Sequence, residues 1–157
     1  MSKAPFLSRR RAEKAIDAAH THYEQSDLEG AWSLLEGALK DDPESATAHF
    51  LMGRIANDQK QPQVALPHLK RAAAAVPDHA DAYAELGRAH HELRQRPDAE
   101  AAYMRSLELK NDPYTAINFA TLLRDSGRFA EATELYKRAL SAPGLDAETR
   151  MRIQRSV

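Results

Sequence analysis

Few side chains in this sequence have a spacing that suggests chemistry. His90-His91-Glu92 is the nearest approach to a metal motif. Adjacent residues on a helix point about 100° apart, so these two histidines do not close on one ion by themselves. No Gly-rich phosphate loop, Gly-x-Ser-x-Gly elbow, His-Glu-x-x-His pair or cysteine cluster occurs. With no cysteine at all, disulfide and thiol chemistry are excluded. The expectation is a segment with no catalytic residues, no metal and no cofactor. What remains is recognition chemistry. Arg54 precedes Asp58 by four residues and Arg88 precedes Glu92 by four. Such pairs along a helix are worth about 0.2–0.5 kcal/mol, too little to keep an arginine from a better acceptor.

The elements that would position these groups announce themselves as a repeat. Ala19, Gly53, Gly87 and Ala120 recur at steps of 34, 34 and 33 residues. So do Ala31, Ala65, Ala99 and Ala132, and likewise Ala38, Ala72, Ser106 and Ala139. A large row, Leu35, Leu69, Tyr103 and Tyr136, accompanies them. Small residues on one helix let a neighbour's backbone come close, and the large residue fills the space beside them. The amphipathic stretches predict helices over 8–25, 28–40, 46–60, 62–76, 79–94, 97–110, 114–125 and 129–141, with a last one after Asp146. Ser45, Asp78 and Asp146 read as caps. Seven of the eight prolines fall at ends or joints, where a missing N–H costs little; Pro67 lies inside a helix. Residues 1–7 read as a loose arm, and Glu100 as an exposed position. No strand-like alternation appears, so the chain is all-α.

The formal net charge of −1 over 157 residues argues against generic attraction to nucleic acid. All 23 acidic residues fall within 12–149, whereas the two ends carry only bases: Lys3 and Arg9–Arg11, then Arg150, Arg152 and Arg155. No apolar run follows the basic N-terminus, which therefore does not read as a secretory signal. No stretch approaches the 18 or so apolar residues of a membrane span, so no membrane partner is expected. The default location is cytoplasmic.

Residues 12–146 resemble tetratricopeptide (TPR) repeats. The small rows, the large row, the unit-closing Pro43 and Pro77, and the run Gly127-Arg-Phe129-Ala-Glu-Ala132 carry the likeness. The resemblance implies a right-handed α-solenoid of antiparallel helix pairs (a TPR superhelix). Its organisation would be a flexible basic arm over 1–11, four units over 12–45, 46–79, 80–112 and 113–146, and a capping helix or truncated fifth unit over 147–157. The turn glycine of the family stands only at Gly127, with Ser26, Lys60 and Arg94 in its place elsewhere. His22, His49 and His90 occupy rows that usually face the core. They are expected to be neutral, partly buried imidazoles with hydrogen-bond partners.

In this family the first helix of each unit lines a concave groove that receives a peptide or a partner helix. Carried over row by row, that gives an apolar track of Ile16, Phe50, Ala84 and Ile117. Beside it would lie a mostly basic track of His20, Arg54, Arg88 and Thr121, and one turn on Tyr23, Asn57, His91 and Arg124. Asn118 stands where the family often grips ligand backbone, although no asparagine ladder exists. Glu13 and Asp81 replace the basic groups that a carboxylate clamp would need. The resemblance thus implies a protein-interaction module taking a peptide with apolar side chains and acidic groups. Its alternative is the N-terminal arm of a longer enzyme, of hydroxylase or sulfotransferase type.

Overall fold

The computed structural model describes residues 4–155 and residue 157. Among these residues the chain forms nine helices and no strand, and it divides into two compact units. The first unit, residues 1–77, holds α1 (Ala4–Glu24), α2 (Leu28–Asp41), α3 (Ala46–Asp58) and α4 (Pro62–Ala75). The second, residues 78–157, holds α5 (Ala80–Glu92), α6 (Arg96–Leu109), α7 (Pro113–Asp125), α8 (Phe129–Ser141) and α9 (Ala147–Gln154). Helices α1, α3, α5 and α7 each pack chiefly against the helix that follows, and α9 packs against α8.

The helix starts follow capping chemistry. Asp27, Ser45, Asp112 and Asp146 accept from the backbone N–H three residues on, at 2.9, 3.3, 2.7 and 2.8 Å. Each satisfies one of the donors a helix N-terminus leaves unpaired. The cap of α5 is His79 rather than Asp78: its Nδ1 accepts from Ala82 N–H at 3.4 Å. The N-terminal expectation also needs correcting. Helix α1 begins at Ala4, so residues 4–7 are helical rather than a loose arm, and residues 1–3 lie outside the described residues. Pro5 sits in the first turn, where no N–H is needed. Further on, Ala12 is buried and Arg11 Nη2 donates to Asp41 Oδ1 at 2.9 Å, tying α1 to the end of α2.

The turn inside each pair is the same whether or not glycine occupies it. Ser26, Lys60, Arg94 and Gly127 have φ of 64°, 59°, 60° and 77°. This left-handed conformation costs an ordinary residue about 1–2 kcal/mol. Helix packing imposes the turn, and only the fourth unit relieves its strain with glycine.

Within each unit the small and large rows interlock as their spacing implies. A Cβ added to Gly53 would collide with Leu69, and one added to Gly87 would lie 2.5 Å from the Tyr103 ring. Leu35, Leu69 and Tyr103 are almost fully buried. In the second unit Tyr103 stacks on Phe119 with ring centroids 5.9 Å apart. Helix α9 adds Ile153 to that core, and Arg150 Nη1 donates to the Leu140 carbonyl at 2.6 Å. The Asp146 carboxyl, bonded by Thr149 and by Tyr114 Oη, is pushed down to about 2. Glu100 is not a bystander: it is half-buried and accepts from Arg128 Nη1 at 2.7 Å. Arg128 also grips Glu131 at 2.6 Å, and these two carboxylates raise its pKa further.

Candidate peptide-binding face

In the first unit the candidate residues come from α1 and α3. Ile16, Tyr23 and Phe50 are half-buried, packed on one side against a core of Leu35, Leu51 and Ile55. Tyr23 Oη donates to Asp58 Oδ2 at 2.7 Å, and the Arg54 guanidinium lies 4.7 Å from the Tyr23 ring centre. A cation over an aromatic face is worth about 0.5–1 kcal/mol where exposed, so this stack fixes Arg54 without removing its donors. His20 is exposed beside Glu24 at 3.3 Å. Asn57 is buried, and so does not line an accessible track as the sequence suggested.

In the second unit the expectation holds less well. Ile117 is only 8% exposed and belongs to the core, in one buried cluster with Phe119 and Tyr136. Thr121 Oγ1 donates to the Ile117 carbonyl at 3.0 Å and lies 3.3 Å from Tyr136 Oη, which turns it inward. His91 Nε2 stands 3.5 Å from Asp125 Oδ2, bridging α5 to α7. Arg88 reaches back to Glu85 at 3.4 Å, and Arg124 stands 3.8 Å from Asp125. Asn118 is exposed.

The sequence reading passed over an acidic row. Glu24, Asp58, Glu92 and Asp125 recur at the same steps of 34, 34 and 33 residues, each four residues after a member of the basic track. Asp58 takes Tyr23, Asp125 takes His91 and Glu24 takes His20. The signal was in the period, visible once the acids are read as a row and not as partners of single arginines. The first-helix face therefore carries bases and acids side by side.

The histidines sort differently from their motif. Among the described residues no group of three or more His, Cys, Asp or Glu could hold a metal. His90 Nδ1 bonds Gln95 Oε1 at 2.6 Å while its neighbour turns to Asp125, so the adjacent pair diverges. His49 and His90 are buried with partners, as expected. His22 is partly buried, its side chain 41% exposed, and it has its partner in Asp27 at 2.7 Å. The Gly30 N–H, and then His22, hold the Asp27 carboxyl below its usual range.

Repeated helix pairs with this small-and-large register define a class of protein. Three family models, each described as Tetratricopeptide repeat, match residues 16–66, 56–118 and 114–142. The chain belongs to the tetratricopeptide-repeat family, and its fold class is the all-α solenoid of antiparallel helix pairs. Among curated relatives, protein O-mannosyl-transferase TMTC3 of Mus musculus is 29% identical over 140 residues, covering 79% of this chain. The Homo sapiens protein of that name is 28% identical over 137 residues, covering 77%. The chain spans only 15% of the length of either. Solved structures share the fold, two of them as follows. MamA 41-end from Desulfovibrio magneticus RS-1 superposes with a TM-score of 0.76 at 21% identity, over 92% of this chain and 76% of that one. The structure titled APC/C hetero-tetramer Cut9-Hcn1 gives 0.85 at 17% identity, over 93% of this chain and 30% of that one. No helix among the described residues is long and apolar enough to cross a membrane.

Proposed function

We propose that this chain is a non-catalytic interaction module that takes a peptide segment on the face of its first helices. The observation that carries this is the half-exposed group Ile16, Tyr23, Phe50 and Arg54, apolar surface with a fixed cation beside it. An amphipathic or extended peptide would cover the apolar part and offer acceptors to Arg54. The family supports the reading, as does a neighbour of the same fold that was solved as a hetero-tetramer. Because acids already stand beside the bases, with Asp58 bonded by Tyr23 and Glu24 beside His20, an acidic ligand meets like charges on this face. Apolar contact would then set most of the affinity.

The test is selection of a random peptide library on the immobilised chain, followed by titration of the winners. Fully burying an exposed aromatic contributes about 1.5–3 kcal/mol and Phe50 is already half-buried, so Phe50→Ala should weaken binding several-fold at low and high salt alike. Arg54→Ala should weaken it mainly at low salt, where charges are less screened. Both variants must keep the wild-type circular dichroism. Peptides that bind both variants at wild-type affinity would place the site elsewhere.

A second reading rests on the relatives' length. They are named transferases and this chain matches 15% of them, which favours a repeat segment serving a longer enzyme. The mass of the endogenous protein separates the two readings.

A further inference from the structure

A second candidate site lies on the other side of the first unit, among its second helices. Leu39 from α2, Pro43 from the loop, His49 from α3, and Pro67, His68 and Arg71 from α4 line a cleft of about 340 Å³. That is at the small end of the range for ligand clefts. The second unit has a cleft on the same repeat rows, of about 350 Å³, where Leu107, Leu135 and Arg138 stand for Leu39, His68 and Arg71. The fold therefore needs neither a histidine nor a free cation here, since leucine fills the row at 135.

The arginine row sharpens the contrast. Arg105 bonds Glu108 at 3.2 Å. Arg138 donates to Asn111 Oδ1 at 2.7 Å and to the Leu107 carbonyl at 3.4 Å. Arg71, their counterpart, has no hydrogen-bond or ion-pair partner among the described residues. Asp41, the acid at the end of α2, is taken by Arg11.

Beside Arg71 stands an imidazole pair whose proton positions follow from its partners. His49 Nε2 lies 2.9 Å from the Pro43 carbonyl, which can only accept, so Nε2 carries the proton. Neutral His49 then has a bare Nδ1, and His68 Nδ1, 2.9 Å away, must donate to it. That leaves His68 Nε2 as a bare acceptor in the cleft wall. A proton added there makes His68 a second donor without breaking the bond to His49. The groups facing His68 are His49 from α3, Arg71 on its own helix, and from α2 and the loop the uncharged Trp32, Leu39 and Pro43.

We propose that this cleft binds a carboxylate on an apolar stem, held by the Arg71 guanidinium and by His68, which takes up a proton as the ligand enters. Leu39, Pro43 and Pro67 receive the stem. The site is independent of the peptide face on α1 and α3.

The test is two-dimensional NMR on the full chain, titrated with hexanoate, hexanamide, and acetyl-Ala-Val-Leu as free acid and as C-terminal amide. The acids should shift resonances of Leu39, His68 and Arg71 but not of Leu135. Binding should tighten from about pH 7.5 to about 5.5, as histidine becomes charged. Arg71→Gln and His68→Leu should each weaken it about tenfold, the loss expected for one charge-assisted bond. Both variants should fold, since Arg71 is exposed and leucine occupies the equivalent row at 135. Tighter binding of hexanoate or of the peptide acid would identify a free acid or a chain terminus as the source. No shift up to about 10 mM, well above the millimolar range of weak sites, would overturn the proposal. So would equal binding of the amides, or wild-type affinity in both variants.

Discussion

At the scale of single residues the informative group is His68, which no sequence pattern marked. Burial first, then His49 and Arg71, hold its pKa below the ordinary histidine value of 6.5. The folded state thus prefers the neutral ring more strongly than the unfolded chain does. Its contribution to stability is fully present above pH 6.5. It is lost as pH falls below 6.5, where the unfolded chain gains a proton that the fold resists, until the lowered folded pKa is passed. Urea unfolding between about pH 7 and pH 5 should show stability falling with pH, and His68→Leu should flatten that slope. An equal slope in the variant would mean that His68 titrates alike folded and unfolded. His49 was legible as a buried histidine because its row faces the core. Its partner was not, because the contact spans 19 residues across a helix pair and depends on register that sequence alone leaves open.

At the scale of elements the helix pairs are governed by how closely their backbones approach. Gly87 and Gly37 separate this effect from intrinsic helix preference. Both are helical, but a Cβ at Gly87 would meet Tyr103, whereas one at Gly37 would meet nothing within 4 Å. Glycine inside a helix is worse than alanine by about 0.5–1 kcal/mol, so Gly37→Ala should raise stability by that amount. Gly87→Ala gains the same preference but must displace a buried ring, and overpacking costs about 1–3 kcal/mol. Its urea midpoint should fall while that of Gly37→Ala rises; two shifts of the same sign would contradict the packing. The small rows made the pairing legible from sequence, and helix α8 runs from Phe129 to Ser141 as its pattern implied. Helix α1 was misjudged at its start because Pro5 reads as a breaker, whereas in the first turn of a helix its missing N–H costs nothing.

At the scale of the whole molecule, packing within each unit is mostly between a helix and its sequence neighbour, with fewer contacts from one pair to the next. Such a chain behaves as a row of coupled units, and disturbance in one should fade along the row. The candidate face was only partly legible for a related reason. The repeat rows pointed to Ile16, Phe50 and Arg54, which stand half-buried on α1 and α3. They could not say that Ile117, on the same row, is buried by its own unit's core. Hydrogen exchange can test the fading directly. Gly53→Leu would force a branched side chain against Leu69 in the first unit and destabilise the α3–α4 pair. Amides of α3 and α4 should then exchange faster, roughly tenfold for each 1.4 kcal/mol lost. Amides of α7 and α8 in the second unit should keep rates close to those of the unaltered chain. Equal acceleration in all four helices would show that the 157 residues unfold as one block, and the row of coupled units would have to be given up.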